Sequence, residues 1–127
     1  MKKRHEADTI TTRNSLAEGY LEVARIDEAL RFAEETVELA KSELGPEDPR
    51  TLACMRTLIG TYHRAMRVPQ ALKLAQETVE HSRAALGPDD PETLAGMETL
   101  AWVYKSSDTP AAAVPIAKQA LELTRRR

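Results

Sequence analysis

Cysteine is nearly absent from this chain. Cys54 is the only one in 127 residues, which excludes an intramolecular disulfide and a multi-cysteine zinc site. A basic excess is also missing: 18 Lys and Arg stand against 20 Asp and Glu, a net charge of -2, unlike the positive balance of a general nucleic-acid binder. No apolar run approaches the roughly 20 residues of a membrane span. The opening MKKRHEADTI has a basic tip with no apolar stretch behind it, so it does not read as a secretory signal. Together these absences point to a reducing, cytoplasmic setting. Glycine is scarce, at 5 residues, and no alternating strand pattern occurs. What is present, 42% hydrophobic and 30% charged residues, suits a folded chain of one compact domain or a few stacked repeats.

The sequence repeats itself. Leu44-Gly45-Pro46-Glu47-Asp48-Pro49-Arg50-Thr51-Leu52 returns 42 residues later as Leu86-Gly87-Pro88-Asp89-Asp90-Pro91-Glu92-Thr93-Leu94. The same offset pairs Met55 with Met97, Leu58 with Leu100, Tyr62 with Tyr104, Ala71 with Ala113 and Ala75 with Ala117. A step backwards reaches Ile10, Leu16, Tyr20, Ala29, Ala33, Thr36 and Val37. Three copies result, about 8–44, 45–86 and 87–124, with basic tails at 1–7 and 125–127.

Each copy predicts two helices, A and B. Asp48-Pro49 and Asp90-Pro91 supply an N-cap carboxylate and a first-turn proline for helix A. Leu52, Met55, Ile59 and Tyr62 follow at the spacing of one helical face. Helix B of the second copy starts near Pro69 and stops at Gly87-Pro88. The first copy predicts helices near Asp8–Val23 and Asp27–Leu44. In the third, helix B begins near Pro110, and Pro115 should distort it or delay its start. The recurring alanines allow close helix approach, and Leu16, Leu58 and Leu100 are expected to fill the layer between hairpins. A lone hairpin cannot bury its apolar face, whereas three stacked ones form a continuous core.

The pattern Leu58-Ile59-x-x-Tyr62, then Ala71, then Thr78, with the linker at 86–94, resembles the tetratricopeptide repeat in its longer, kinesin-light-chain-like form of 42 residues. The resemblance runs from about Asp8 to Leu123 and implies an all-α, right-handed solenoid of three stacked antiparallel helical hairpins. The sequence departs from the family at the turn between helices A and B. Ala24, Met66 and Asp108 stand where glycine is usual, which predicts looser or differently shaped turns. Of the helix-A asparagines that hold a peptide backbone in light-chain repeats, Asn14 is kept, with Arg56 and Glu98 at the matching positions. The C-terminal solvating helix common after such arrays is not found in this sequence. One flank of the last helix B is therefore expected to be uncovered, either as part of a longer protein or as a self-associating surface.

In this family helices A line a concave groove. Carried over by position, the groove displays Thr11, Asn14, Glu18, Leu21 and Glu22 from the first copy. The second supplies Ala53, Arg56, Gly60, His63 and Arg64, and the third Ala95, Glu98, Trp102, Lys105 and Ser106. Helical spacing by itself puts Arg56, Gly60, His63 and Arg64 on one face, opposite Leu58 and Tyr62. Charge is uneven: residues 8–44 sum to -5, residues 45–86 to +2 and residues 87–127 to -1. An acidic residue or terminal carboxylate of a peptide would suit Arg56, His63 and Arg64, because guanidinium forms a planar fork. Trp102 would add an aromatic contact. The alternatives remain that Arg56 and Arg64 pair with Glu18, Glu22 or Glu98, and that Trp102 is a packing residue.

Chemistry of other kinds finds no support in the sequence. His5, His63 and His81 lack metal-ligand spacing, and His81 stands at an apolar packing position matching Leu39 and Leu123. Cys54 reads as a small, partly buried thiol without a His or Asp partner. The acids at 47–48 and 89–90 serve helix capping and lack calcium-loop spacing. There is no phosphate loop and no nucleophile elbow, so no enzyme and no cofactor are expected. The sequence therefore predicts a non-catalytic protein-interaction module that binds a peptide or partner helix through Asn14, Arg56, His63, Arg64, Trp102 and Lys105. The alternatives are a homo-oligomer built through uncapped end helices and a regulatory part of a larger signalling or transcription-control protein. Neither nucleic acid nor membrane is expected as a partner.

Overall fold

The computed structural model describes the backbone of residues 2–126 and the side chains of residues 9–126. The side chains of Lys2, Lys3, Arg4 and His5, and Arg127, lie outside these. Among the described residues the chain order is α1 (Lys2–Glu22), α2 (Ile26–Leu44), α3 (Pro49–Arg64), α4 (Val68–Leu86), α5 (Pro91–Lys105), a 3-10 turn (Pro110–Ala112) and α6 (Ala113–Arg125), with no strand. α1 begins ahead of the expected Asp8 start. The chain forms two compact units, Met1–Arg67 and Val68–Arg127. In the first, α1 packs on α2 and α3 packs on both. In the second, α4 packs on α5 and α5 on α6.

The helix ends follow the local chemistry. The Asp48 carboxylate accepts the Arg50 N–H at 2.8 Å and the Asp90 carboxylate accepts the Glu92 N–H at 2.9 Å, so α3 and α5 start alike. α2 and α4 end at Gly45 (φ +92°) and Gly87 (φ +95°), a backbone region closed to side-chain-bearing residues. Pro115 acts as expected on the last helix: Pro110–Ala112 forms a 3-10 turn and the α-helix starts only at Ala113.

The A-to-B turns divide into two kinds. Ala24 (φ +63°) and Met66 (φ +65°) adopt the left-handed conformation that glycine would take. Around each, paired hydrogen bonds close the helix end: Arg25 N–H to Tyr20 O at 2.9 Å with Ala24 N–H to Leu21 O at 3.1 Å, and Arg67 N–H to Tyr62 O at 2.8 Å with Met66 N–H to His63 O at 3.1 Å. These turns keep the glycine geometry without glycine. The third is different. Ser107 closes it, donating its hydroxyl to Tyr104 O at 2.7 Å and accepting the Thr109 N–H at 3.1 Å, and Pro110 keeps Thr109 out of helical backbone (φ -128°, ψ 62°).

The core is aliphatic and small. Ile10, Ala17, Ala29, Ala33 and Val37 are buried with Leu52, Met55 and Ile59 in the first unit. Ala71, Leu74, Ala75 and Val79 are buried with Met97 and Val103 in the second. Thr36 and Thr78 repeat within this core because each hydroxyl donates to the carbonyl one turn back, Phe32 O and Leu74 O, both at 2.7 Å. Two expectations fail. Leu58 and Leu100 are 5% and 7% exposed, but Leu16 is 46% exposed, on a side of α1 that α2 and α3 leave open. Ala113 is buried, but Ala117 is exposed.

Candidate interaction surface

α3 divides cleanly along its length. Thr51, Leu52, Cys54, Met55, Leu58, Ile59 and Thr61 are buried, whereas Arg56, Gly60 and His63 are half-buried and Arg64 is exposed. The three- and four-residue helical step thus gathers Arg56, His63 and Arg64 on one solvent-facing stripe, with the apolar stripe holding the helix to α1 and α2. Asn14, one repeat back from Arg56, is half-buried on α1. These four belong to the unit Met1–Arg67.

Trp102 and Lys105 lie on α5 in the other unit. Trp102 is 41% exposed and Lys105 is exposed. They line a cavity of about 630 Å³ between α5 and α6, together with Leu94, Ala117, Leu121 and Thr124. The sequence grouped Trp102 and Lys105 only with other helix-A residues. The structure adds the α6 side chains as their neighbours.

The repeating tyrosines make an arrangement that sequence reasoning missed. Tyr62 on α3 donates its hydroxyl to Glu34 Oε2 on α2 at 2.7 Å. One repeat on, Gln76 Nε2 on α4 donates to Tyr104 Oη on α5 at 2.8 Å. Glu34 and Gln76 are themselves 42 residues apart, so the pairing was present in the repeat register. Burial, reinforced by Glu34, pushes the Tyr62 hydroxyl up to about 12. Arg13 was also missed. It stands where the later copies carry Met55 and Met97, and its guanidinium lies over the Phe32 ring at 4.2 Å, with Nε donating to Thr36 Oγ1 at 3.3 Å and Nη2 forming an ion pair with Glu35 Oε1 at 3.7 Å.

Cys54 is buried, and its thiol is pushed up to about 11, chiefly by desolvation and then by Glu18. His81, expected at an apolar packing position, has a side chain 34% exposed and faces Glu77 Oε1 at 4.0 Å. Leu39 and Leu123 are likewise only half-buried, so this position borders the core in every copy. Among the described residues no three His, Cys, Asp or Glu side chains cluster as a metal site. No described helix is long and apolar enough to cross a membrane.

Comparison with known proteins agrees with the repeat. Family models for the tetratricopeptide repeat match residues 55–126 and residues 9–50. No curated protein matches the sequence. Among solved structures, the chain is similar to one described as a kinesin light chain of Podosopora anserina with nearly identical TPR-like repeats, with a TM-score of 0.84, 24% identity, and coverage of 94% of this chain and 56% of that one. A single-substitution variant of that protein matches with a TM-score of 0.86, 24% identity, and 95% and 57% coverage. BtubC (BKLC) from P. vanneervenii matches with a TM-score of 0.83, 18% identity, and 95% and 48% coverage. The chain thus spans about half the length of these solved chains. The helix pairs, their caps and the 42-residue register agree with these matches, and the chain belongs to the tetratricopeptide repeat family.

Proposed function

We propose that this protein-interaction repeat module is non-catalytic and cytoplasmic, and that the outward surface of its A helices receives an extended peptide or a partner helix bearing an acidic residue or a terminal carboxylate. The observation that carries the reading is the stripe of Arg56, His63 and Arg64, which stand outside the core of α3 while Leu52, Met55, Leu58 and Ile59 are buried on the other side of the helix. A rigid helix presenting two guanidinium groups and an imidazole favours a carboxylate by charge-assisted hydrogen bonds, with Arg supplying a planar fork. Asn14 on α1 offers an amide able both to donate to and accept from a peptide backbone. On the second unit, the half-exposed indole of Trp102 and the ammonium of Lys105 supply an aromatic and a cationic contact.

A peptide library displayed with free and with amidated C-termini tests this. Wild-type protein is expected to select acidic or free-carboxylate peptides. Arg56→Glu is expected to weaken them at least about tenfold, in line with the ~1.5–3 kcal/mol of hydrogen bonds to charged groups. Trp102→Ala should likewise weaken peptide binding, with far-UV circular dichroism unchanged in both variants. Equal binding by wild type and the Arg56→Glu/Trp102→Ala double variant would overturn the reading.

A further inference from the structure

The internal repeat allows each exposed position to be compared with its own equivalents, and two faces depart from them. The first lies on α5 and α6. In the unit Met1–Arg67, α3 covers α1 and α2, where Ala17, Ala33, Val37 and Ala40 are buried. Two repeats on, these positions are Ala101, Ala117, Leu121 and Thr124. Ala117 and Thr124 are exposed, and Leu121 is 55% exposed where Val37 and Val79 are 3% and 6%. All four line the cavity that Trp102 borders. Small and aliphatic residues thus remain where the first copy seats a helix, with Glu98 and Lys105 also lining the cavity, but here the seat is open.

The second face lies on α1. Leu58 and Leu100 are buried when α3 and α5 meet their neighbours, yet Leu16 is exposed. Cys54 and Gly96 are buried, yet Thr12 is exposed. Arg13, at a position the later copies fill with buried methionine, is turned onto Phe32 and Glu35 of its own unit.

The two faces are complementary by the molecule's own packing. α5 seats on α4 with Gly96 against Val79, so closely that a Cβ at residue 96 would lie 3.4 Å from Val79 Cγ2, and with Gln76 bonded to Tyr104. Carrying that contact on by one repeat puts Leu121 opposite Thr12 and Lys118 opposite Tyr20 of another molecule. We infer that a second copy of this chain docks its α1 on the α5–α6 face, head to tail, reproducing the helix-A seat already used inside each unit. Donor face and receiving face differ, so the contact is heterologous and each new copy offers the next open seat. Trp102 is covered in the process, which couples assembly to any ligand that uses the indole.

Sedimentation equilibrium of the full chain over a wide micromolar range tests this with two variants, Leu16→Arg and Leu121→Arg. Both residues are exposed in the single chain, so far-UV circular dichroism and thermal unfolding should be unchanged. Wild type is expected to gain mass with concentration. Each variant alone should stay monomeric, because one of the two faces is blocked. An equimolar mixture of the two should form a species of twice the monomer mass, since each contributes the face the other has lost. A concentration-independent wild-type mass would overturn the proposal and leave the seat to a helix from another source. Self-association that survives in Leu16→Arg would overturn it in favour of a symmetric pairing through α5–α6. Leu16 is not among the proposed ligand contacts, so peptide binding retained by Leu16→Arg separates this result from the fate of the ligand reading.

Discussion

The tyrosines that recur along the chain do more than fill space. Their rings fall at the edge of the apolar stripe, and the hydroxyls of Tyr62 and Tyr104 reach across to the preceding B helix, to Glu34 and Gln76. In Tyr62 this combines with burial to hold the proton more tightly than in an unfolded chain, and desolvation does the same at Cys54. A raised folded pKa stabilises the fold fully below the unfolded value and is lost as pH climbs through the folded one. Stability is therefore expected to fall from about pH 9 through about 11 for the thiol, and from about pH 10 through about 12 for the phenol. Urea unfolding at stepped alkaline pH should show this decline, and the Cys54→Ala/Tyr62→Phe variant should show less of it. An equal decline in both proteins would refute the assignment. The sequence marked Tyr62 and Tyr104 as equivalent but did not name their partners, because a hydrogen bond between helices depends on which side chains the packing makes adjacent.

At the scale of elements, the turns show how much a missing glycine matters. Ala24 and Met66 occupy left-handed backbone that costs a side-chain-bearing residue roughly 1–2 kcal/mol, and the paired hydrogen bonds of the helix end hold them there. Met66→Gly and Ala24→Gly are each expected to raise stability by about 0.5–1 kcal/mol, read from the denaturant midpoint at constant slope. Asp108→Gly serves as the control and should give no gain, because Ser107 and Pro110 shape that turn without a left-handed residue at 108. A gain at 108 equal to that at 66 would contradict this account. The sequence anticipated altered turns from the missing glycines, and that holds only at the third. At the first two the helix-end hydrogen bonds outweighed the intrinsic preference of Ala and Met.

For the whole molecule, the same residue in the same repeat position has different worth. Leu58→Ala and Leu100→Ala remove buried side chains and should each cost about 2–5 kcal/mol. Leu16→Ala, at an exposed site, should change the stability of the isolated chain by less than about 0.5 kcal/mol. Guanidinium denaturation of the three variants at low protein concentration distinguishes them, and a loss at Leu16 matching that at Leu58 would contradict the burial pattern. Periodicity cannot foresee this difference, since it assigns equivalent residues equivalent burial.

Local chemistry was enough to determine the helices. Asp-Pro starts, Gly-Pro stops, the apolar spacing of α3 and the delay imposed by Pro110 and Pro115 act within a turn or two of chain, so they could be read without knowing what packs where. The 42-residue register determined the family in the same way, by recurrence along the chain. The stripe of Arg56, His63 and Arg64 was also legible, because one helix fixes which of its own residues share a face. Tertiary structure alone decided that Leu16 is left exposed while Leu58 and Leu100 are covered, and that Trp102 borders a cavity with α6. Burial depends on the neighbour an element receives, and a sequence repeat specifies the surface an element presents without specifying whether a neighbour meets it.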